Sequence, residues 1–212
     1  MPTTQQIENA DTLTAPQALR LIAAVRASDR YRDYVAAYPD VEATIKAKIN
    51  RKKTITGATN ANPIVITATG HGFAADEVVT VQSVGGNTAA NGSWLVSAVT
   101  TDTLTLLGAI GNASYTSGGQ VLDLASQHLA AIVEALDEVG DGTVAVKGGR
   151  QGADYSQVRD REALIAEALD LLYSIDSGEG YAVVAVGQRG YADRICHEHG
   201  TTSCGCPRYV TC

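Results

Sequence analysis

From about Thr54 to Val121 the chain carries hardly a charge and is built almost wholly of Thr, Val, Ala, Gly, Asn and Ile. This stretch constrains the fold more than any other. β-branched side chains lose rotamer freedom in a helix and pack well on a pleated surface. Frequent Gly, Asn and Asp break the stretch into short pieces. The strand-like runs are Ile64-Val65-Ile66-Thr67, Val78-Val79-Thr80-Val81, Trp94-Leu95-Val96-Ser97 and Leu104-Thr105-Leu106. Between them stand Asn62-Pro63, Gly70-His71-Gly72, Gly85-Gly86-Asn87, Asn91-Gly92 and Gly118-Gly119. Five or six short strands in such a length predict a small all-β barrel or sandwich. Trp94, the only tryptophan, is expected to fill its core; the other role open to it is a sugar-stacking platform. His71 reads as a turn residue capping a strand, since no second metal ligand is near it in sequence.

The flanks have the opposite character, rich in Ala, Leu, Arg, Asp and Glu. Residues 1–13 read as a polar N-terminal arm. Thr14-Ala15-Pro16-Gln17 has the form of a helix start, with Thr14 as cap, Pro16 in the first turn and Gln17 three positions on. Leu19 and Ile22 are expected on the buried side of that helix. Pro39 predicts a break, and Asp40 can cap a second helix carrying Val41, Ile45 and Ile49. Beyond the β block, Ala125, Leu129, Ile132, Val133 and Leu136 share one helical face. Residues 142–155 read as a β-hairpin with Gly148-Gly149 near its turn. Ser156 can cap a last helix whose face is Leu164, Ile165, Ala168, Leu169 and Leu172. Residues 178–180 end it, and 181–186 are a strand candidate.

The expected fold is therefore α+β. A helical body with a hairpin (14–53 and 122–186) carries an inserted all-β module (54–121). A polar arm (1–13) precedes the body and an extended Cys-rich arm (187–212) follows it. The chain has 212 residues and a formal net charge of -7. Such a balance argues against a broad nucleic-acid surface. The run Arg51-Lys52-Lys53 reads as a solvated junction between domains. No apolar run approaches the roughly 20 residues of a membrane span, and the N-terminus lacks the pattern of a signal peptide.

Residues 55–73 (Ile55-Thr56-Gly57 through Asn62-Pro63-Ile64 to Gly70-His71-Gly72-Phe73) resemble a β module common in phage tail and neck proteins. So do Asp76-Glu77-Val78-Val79, Gly85-Gly86-Asn87 with Asn91-Gly92-Ser93-Trp94, Asp102-Thr103-Leu104, and Tyr115-Thr116-Ser117-Gly118-Gly119. The module is similar to the small FCCH-like β domain of ubiquitin-activating enzymes. The order helix, hairpin, helix over 123–176 resembles the small head–tail joining proteins of tailed phages, of the lambda protein W type. Together these resemblances imply a structural or interaction protein with no family catalytic residues to carry over.

All four cysteines lie at the C-terminal end, at Cys196, Cys204, Cys206 and Cys212. They cannot staple the core, so they concern the tail or a neighbouring chain. Disulfides within or between subunits are one reading. Zinc held by Cys196, His199, Cys204 and Cys206 is another, although Cys-x-Cys is tighter than the usual zinc spacing. Free thiols are the third. A nucleophilic cysteine served by His197 or His199 lacks a rigid setting, and the common enzyme signatures are absent.

The expectation is a non-enzymatic virion protein, assembled in the host bacterial cytoplasm. It would form a homo-oligomeric ring in the head–tail neck, joining portal and tail proteins. Packaged DNA would lie nearby without a specific nucleic-acid site. No cofactor is expected apart from the zinc alternative, and no membrane partner. The competing expectation is a capsid or fibre decoration or glycan-binding adhesin, with Trp94 or Tyr115 exposed. A small Cys- or zinc-dependent hydrolase is the third class.

Overall fold

The computed structural model describes residues 2–28, 39–139, 144–150, 153–159 and 161–176, all inside one compact unit, Met1–Tyr181. The fold is α+β. Helices α1 (Thr4–Asn9), α2 (Ala15–Ala27) and α3 (Val41–Ala47) come first. Strands β1 (Lys52–Thr54), β2 (Gly57–Ala58), β3 (Ile64–Thr67), β4 (Val78–Gln82), β5 (Gly92–Val99), β6 (Thr103–Leu106) and β7 (Gln120–Asp123) follow. Helix α4 (Leu124–Val139), the pair β8 (Val144–Arg150) and β9 (Ala153–Arg159), and α5 (Arg161–Asp176) complete it.

Local sequence explains the helix starts. The Thr3 hydroxyl accepts the Gln6 N–H, and the Gln6 carboxamide oxygen accepts the Thr3 N–H at 2.8 Å. This reciprocal pair satisfies two otherwise orphaned donors, and it places a helix where a plain polar arm is expected. In α2 the Gln17 carboxamide oxygen likewise accepts the Thr14 N–H at 2.9 Å. Asp40 occupies the cap position of α3, but its side chain makes no capping bond, which corrects its expected role.

Seven strands form one antiparallel sheet in the order β1-β7-β4-β5-β6-β3-β2. The two strands that end this order, β1 and β2, are consecutive in the chain. Between them the Ile55 N–H donates to Gly119 O, and the Thr56 N–H donates to Thr67 O. Strand β5 shifts register against β6 between Val96 and Ala98, a bulge that bends a sheet. Burial alternates along β3 and β6, as a period of two requires. Ile55, Ile64, Ile66, Val79, Val96, Leu104 and Leu106 thus meet in one apolar cluster. Trp94 is only partly buried at the margin of that cluster. Its ring N–H reaches Ala90 O at 2.8 Å, and a polar handle of this kind favours the edge of a core. The core is filled mainly by branched aliphatic side chains, with Phe73 and small alanines among them.

A second cluster joins the helices, including Leu21, Val25, Ile45, Leu129, Ile132, Leu164 and Leu172. The expected faces of α4 and α5 are buried, with Leu136 partly so. Leu19 is a correction: it is 66% exposed. The buried stripe of α2 runs through Ala18, Leu21, Ile22 and Val25. Leu19 lies about 100° round the helix from Ala18 and so falls outside it.

The expected hairpin is present as β8 and β9, with Gly148 and Gly149 near its turn, opposite Tyr155 and Asp154 in the last part of β8. Arg150 pairs with Ala153, and Ser156 lies in β9 opposite Lys147. Ser156 therefore caps no helix; α5 begins at Arg161. Tyr155 and Val158, residue types that favour strands, flank Ser156 in β9. Among the described residues, no helix is long and apolar enough to cross a membrane.

Candidate functional site

Cys196, Cys204, Cys206, Cys212, His197 and His199 lie outside the described residues, as do 178–180 and the strand candidate 181–186. Among the described residues, no group of three or more His, Cys, Asp or Glu side chains is placed to hold a metal ion. Trp94 and Tyr115 both have their polar atoms engaged. The Tyr115 hydroxyl donates toward Ile55 O and Gly118 O, each at 3.1 Å. His71 is buried. Its Nδ1 accepts the Phe73 N–H at 2.9 Å, so Nε2 is the donor to Thr100 O at 2.8 Å and Thr103 O at 3.2 Å. Both ring nitrogens are spent on holding two loops together, in keeping with a turn residue.

The most unusual chemistry sits where the sheet meets the helices. Lys52, Lys53 and Thr54 of the entering strand pair with Leu122, Val121 and Gln120 of the leaving strand. Entry and exit are thus adjacent. At this doorway Lys48, Arg51, Glu77 and Asp123 form a cluster of two cations and two carboxylates. The Lys48 side chain is 9% exposed and that of Asp123 only 2%. Lys48 Nζ lies 2.8 Å from Asp123 Oδ2 and 3.4 Å from Glu77 Oε1. Arg51 donates from Nη2 to both Glu77 oxygens, at 2.9 and 2.7 Å, and from Nε to Asp123 Oδ2 at 3.3 Å. Its Nη1 reaches Gly72 O, and its guanidinium lies 4.7 Å from the centroid of the Phe73 ring.

Each carboxylate oxygen in the cluster is also spoken for. Asp123 Oδ1 accepts the N–H groups of Ala125 and Ser126, capping α4. An acidic cap is favoured there by the exposed donors and the helix dipole. Glu77 Oε2 accepts the Ala74 N–H as well as Arg51. Beside the cluster the Ser126 hydroxyl donates to Lys48 O at 2.6 Å and accepts the Leu13 N–H at 2.9 Å. A third tie lies nearby, where Gln82 of β4 and Gln127 of α4 both donate to Glu8 O, and Gln127 also to Ala10 O.

With charges balanced and acceptors filled, this cluster has no idle base and no open ligand position. What it can do is hold. Removing one partner from a buried ion pair typically costs about 3–5 kcal/mol, because the other charge stays buried. The cluster therefore fixes the sheet to the helical body. Arg51 corrects the reading of residues 51–53 as a solvated junction: its side chain is 20% exposed and doubly paired. Lys52 pairs with Asp11, and Lys53 is exposed. Sequence reasoning missed Lys48 and Glu77, since nothing local distinguishes them from surface charges. Asp123, a lone acid between a strand and a helix, carries a readable capping signal.

Elsewhere, a cleft of about 400 Å³ lies along α1 and α4, with Asn9, Asp11, Ala131, Glu134 and Glu138 in its lining. His128 and Glu167 join α4 to α5 at 2.7 Å. No protein-family model matches the chain, and no curated protein matches it.

Proposed function

We propose that this chain is a structural virion protein of a tailed phage. It forms a ring of identical subunits in the head–tail neck, between portal and tail. The observation that carries this reading is the helix, hairpin, helix order of α4, β8, β9 and α5, directly preceded by the sheet. That arrangement fits a joining body carrying an inserted module. The sheet reads as a small closed barrel, because β1 and β2 end its strand order yet follow one another in the chain. The four paired charges at its doorway suit a joint that bears load, since a rigid body transmits force where a hinged one absorbs it. The chemistry is mechanical: hold one neighbour on each side.

The cysteines of the C-terminal arm are assigned to locking that ring by disulfides between subunits. Purified full-length protein on a non-reducing gel is expected to give a ladder of covalent oligomers that collapses with reductant. A tightly held metal surviving dialysis, with no ladder, contradicts the disulfide assignment. Retention on a glycan column that is lost in Trp94→Ala supports the adhesin class instead.

A further inference from the structure

We infer that the doorway cluster is also a reactive site. In the folded chain the Lys48 amine condenses with the Asp123 carboxyl, expelling water and leaving an amide bond between the two side chains. Glu77 carries the proton. The inference goes beyond the neck reading and does not depend on it.

A nucleophile and an acyl carbon are held beside each other here. Lys48 Nζ lies 2.8 Å from Asp123 Oδ2, so the Cγ bonded to that oxygen is a short displacement away. The backbone around both residues is tied down. The Ser126 hydroxyl donates to Lys48 O at 2.6 Å, the Asp123 N–H donates to Arg51 O at 2.9 Å, and Lys52 stands in register with Leu122. Well-oriented groups in one molecule react as if at effective concentrations on the order of 10⁵–10⁸ M. The surroundings also match what acyl transfer needs. Asp123 Oδ1 accepts the N–H groups of Ala125 at 2.9 Å and Ser126 at 3.2 Å, at the start of α4. Those donors point at the oxygen on which negative charge develops when an amine adds to Cγ. Glu77 Oε1 faces Nζ at 3.4 Å and is the group that takes its proton.

The step balances without oxidant or cofactor. The ammonium gives one proton to Oδ2. The freed lone pair of Nζ adds to Cγ, and the carbonyl pair moves onto Oδ1. A second proton passes from Nζ through Glu77 to Oδ2. The Cγ–Oδ2 bond then breaks with its electron pair, Oδ2 departs as water, and the pair on Oδ1 re-forms the carbonyl. One hydrogen stays on the nitrogen as the amide N–H.

Burial decides the direction. Two charges held out of water are costly, and turning them into one neutral group removes that cost. What remains is complete. Arg51 still donates twice to Glu77, so their charges balance, and Oδ1, now an amide oxygen, keeps its place as the cap of α4. The Lys52–Asp11 pair supplies the contrast: its side chains are 39% and 62% exposed, water solvates both ions, and no bond is expected there. A bond between residues 48 and 123 ties the chain entering the sheet to the chain leaving it, so a pull on the helices bypasses the sheet.

The test is the intact mass of the purified full-length protein, reduced and denatured. The expected mass is one water below that of the sequence, with a branched peptide joining Lys48 to Asp123 and no tryptic cut after Lys48. Lys48→Arg keeps the charge without a nucleophilic amine and is expected at full mass. Glu77→Gln, with native circular dichroism, is expected to form the bond roughly 100-fold more slowly. An unaltered chain still at full mass after days at neutral pH, or a lost water that maps to any other pair of residues, overturns the inference whether or not the variants fold. Glu77→Gln crosslinking as fast as the unaltered chain overturns the role given to Glu77.

Discussion

Asp123 does two jobs with two oxygens: Oδ2 holds Lys48 and Arg51, and Oδ1 caps α4. Asp123→Ala loses both and is expected to cost about 3–5 kcal/mol in urea denaturation. Asp123→Asn keeps a capping oxygen and is expected to cost less than the alanine change; equal costs would show that the cap contributes nothing. Two glycines allow a similar separation of causes. Gly70 has φ +57 and open space where a Cβ would stand, whereas at Gly86, φ +77, a Cβ would overlap the Ser114 carbonyl oxygen. Gly70→Ala is therefore expected to cost about 1 kcal/mol, the left-handed backbone penalty alone. Gly86→Ala should cost clearly more, and equal losses contradict the packing around 86. At Asp11 the hydrogen bond from Lys52 holds the carboxyl below its ordinary value. A depressed folded value gives stability that is present above the unfolded value and lost as pH falls through the folded one. Lys52→Met should thus lower stability slightly at neutral pH, with the gap to the native chain closing below roughly pH 4. A gap that stays constant with pH would contradict that pairing.

At the scale of elements, strands were legible and their company was not. The runs at 64–67, 78–81, 94–97 and 104–106 fall on β3, β4, β5 and β6, because β-branched alternation and turn residues are local signals. The faces of α4 and α5 were legible for the same reason. Leu19 misled because spacing identifies a helical face only relative to the core, and the core is a tertiary fact. Ser156 misled because a capping residue type is also at home in a strand. The doorway cluster was the least legible feature. Lys48 and Glu77 are 29 residues apart, and only the pairing of β1 with β7 and β7 with β4 brings them together. Charge in a sequence carries no mark of whether it will be buried.

On the scale of the whole molecule, the two apolar clusters are distinct, one in the sheet and one among the helices. The doorway cluster and the Gln82–Glu8–Gln127 tie join what hydrophobic burial alone leaves separate. A chain with adjacent entry and exit strands tolerates an insertion because the host helices keep their spacing. That property lets a helical body carry the sheet without losing its own core. The central claim is that such bodies close into a ring, and electron micrographs of the purified full-length protein test it most directly. The account predicts closed rings of one diameter with a central opening. A uniform field of monomers, or open filaments of varying length, would contradict it.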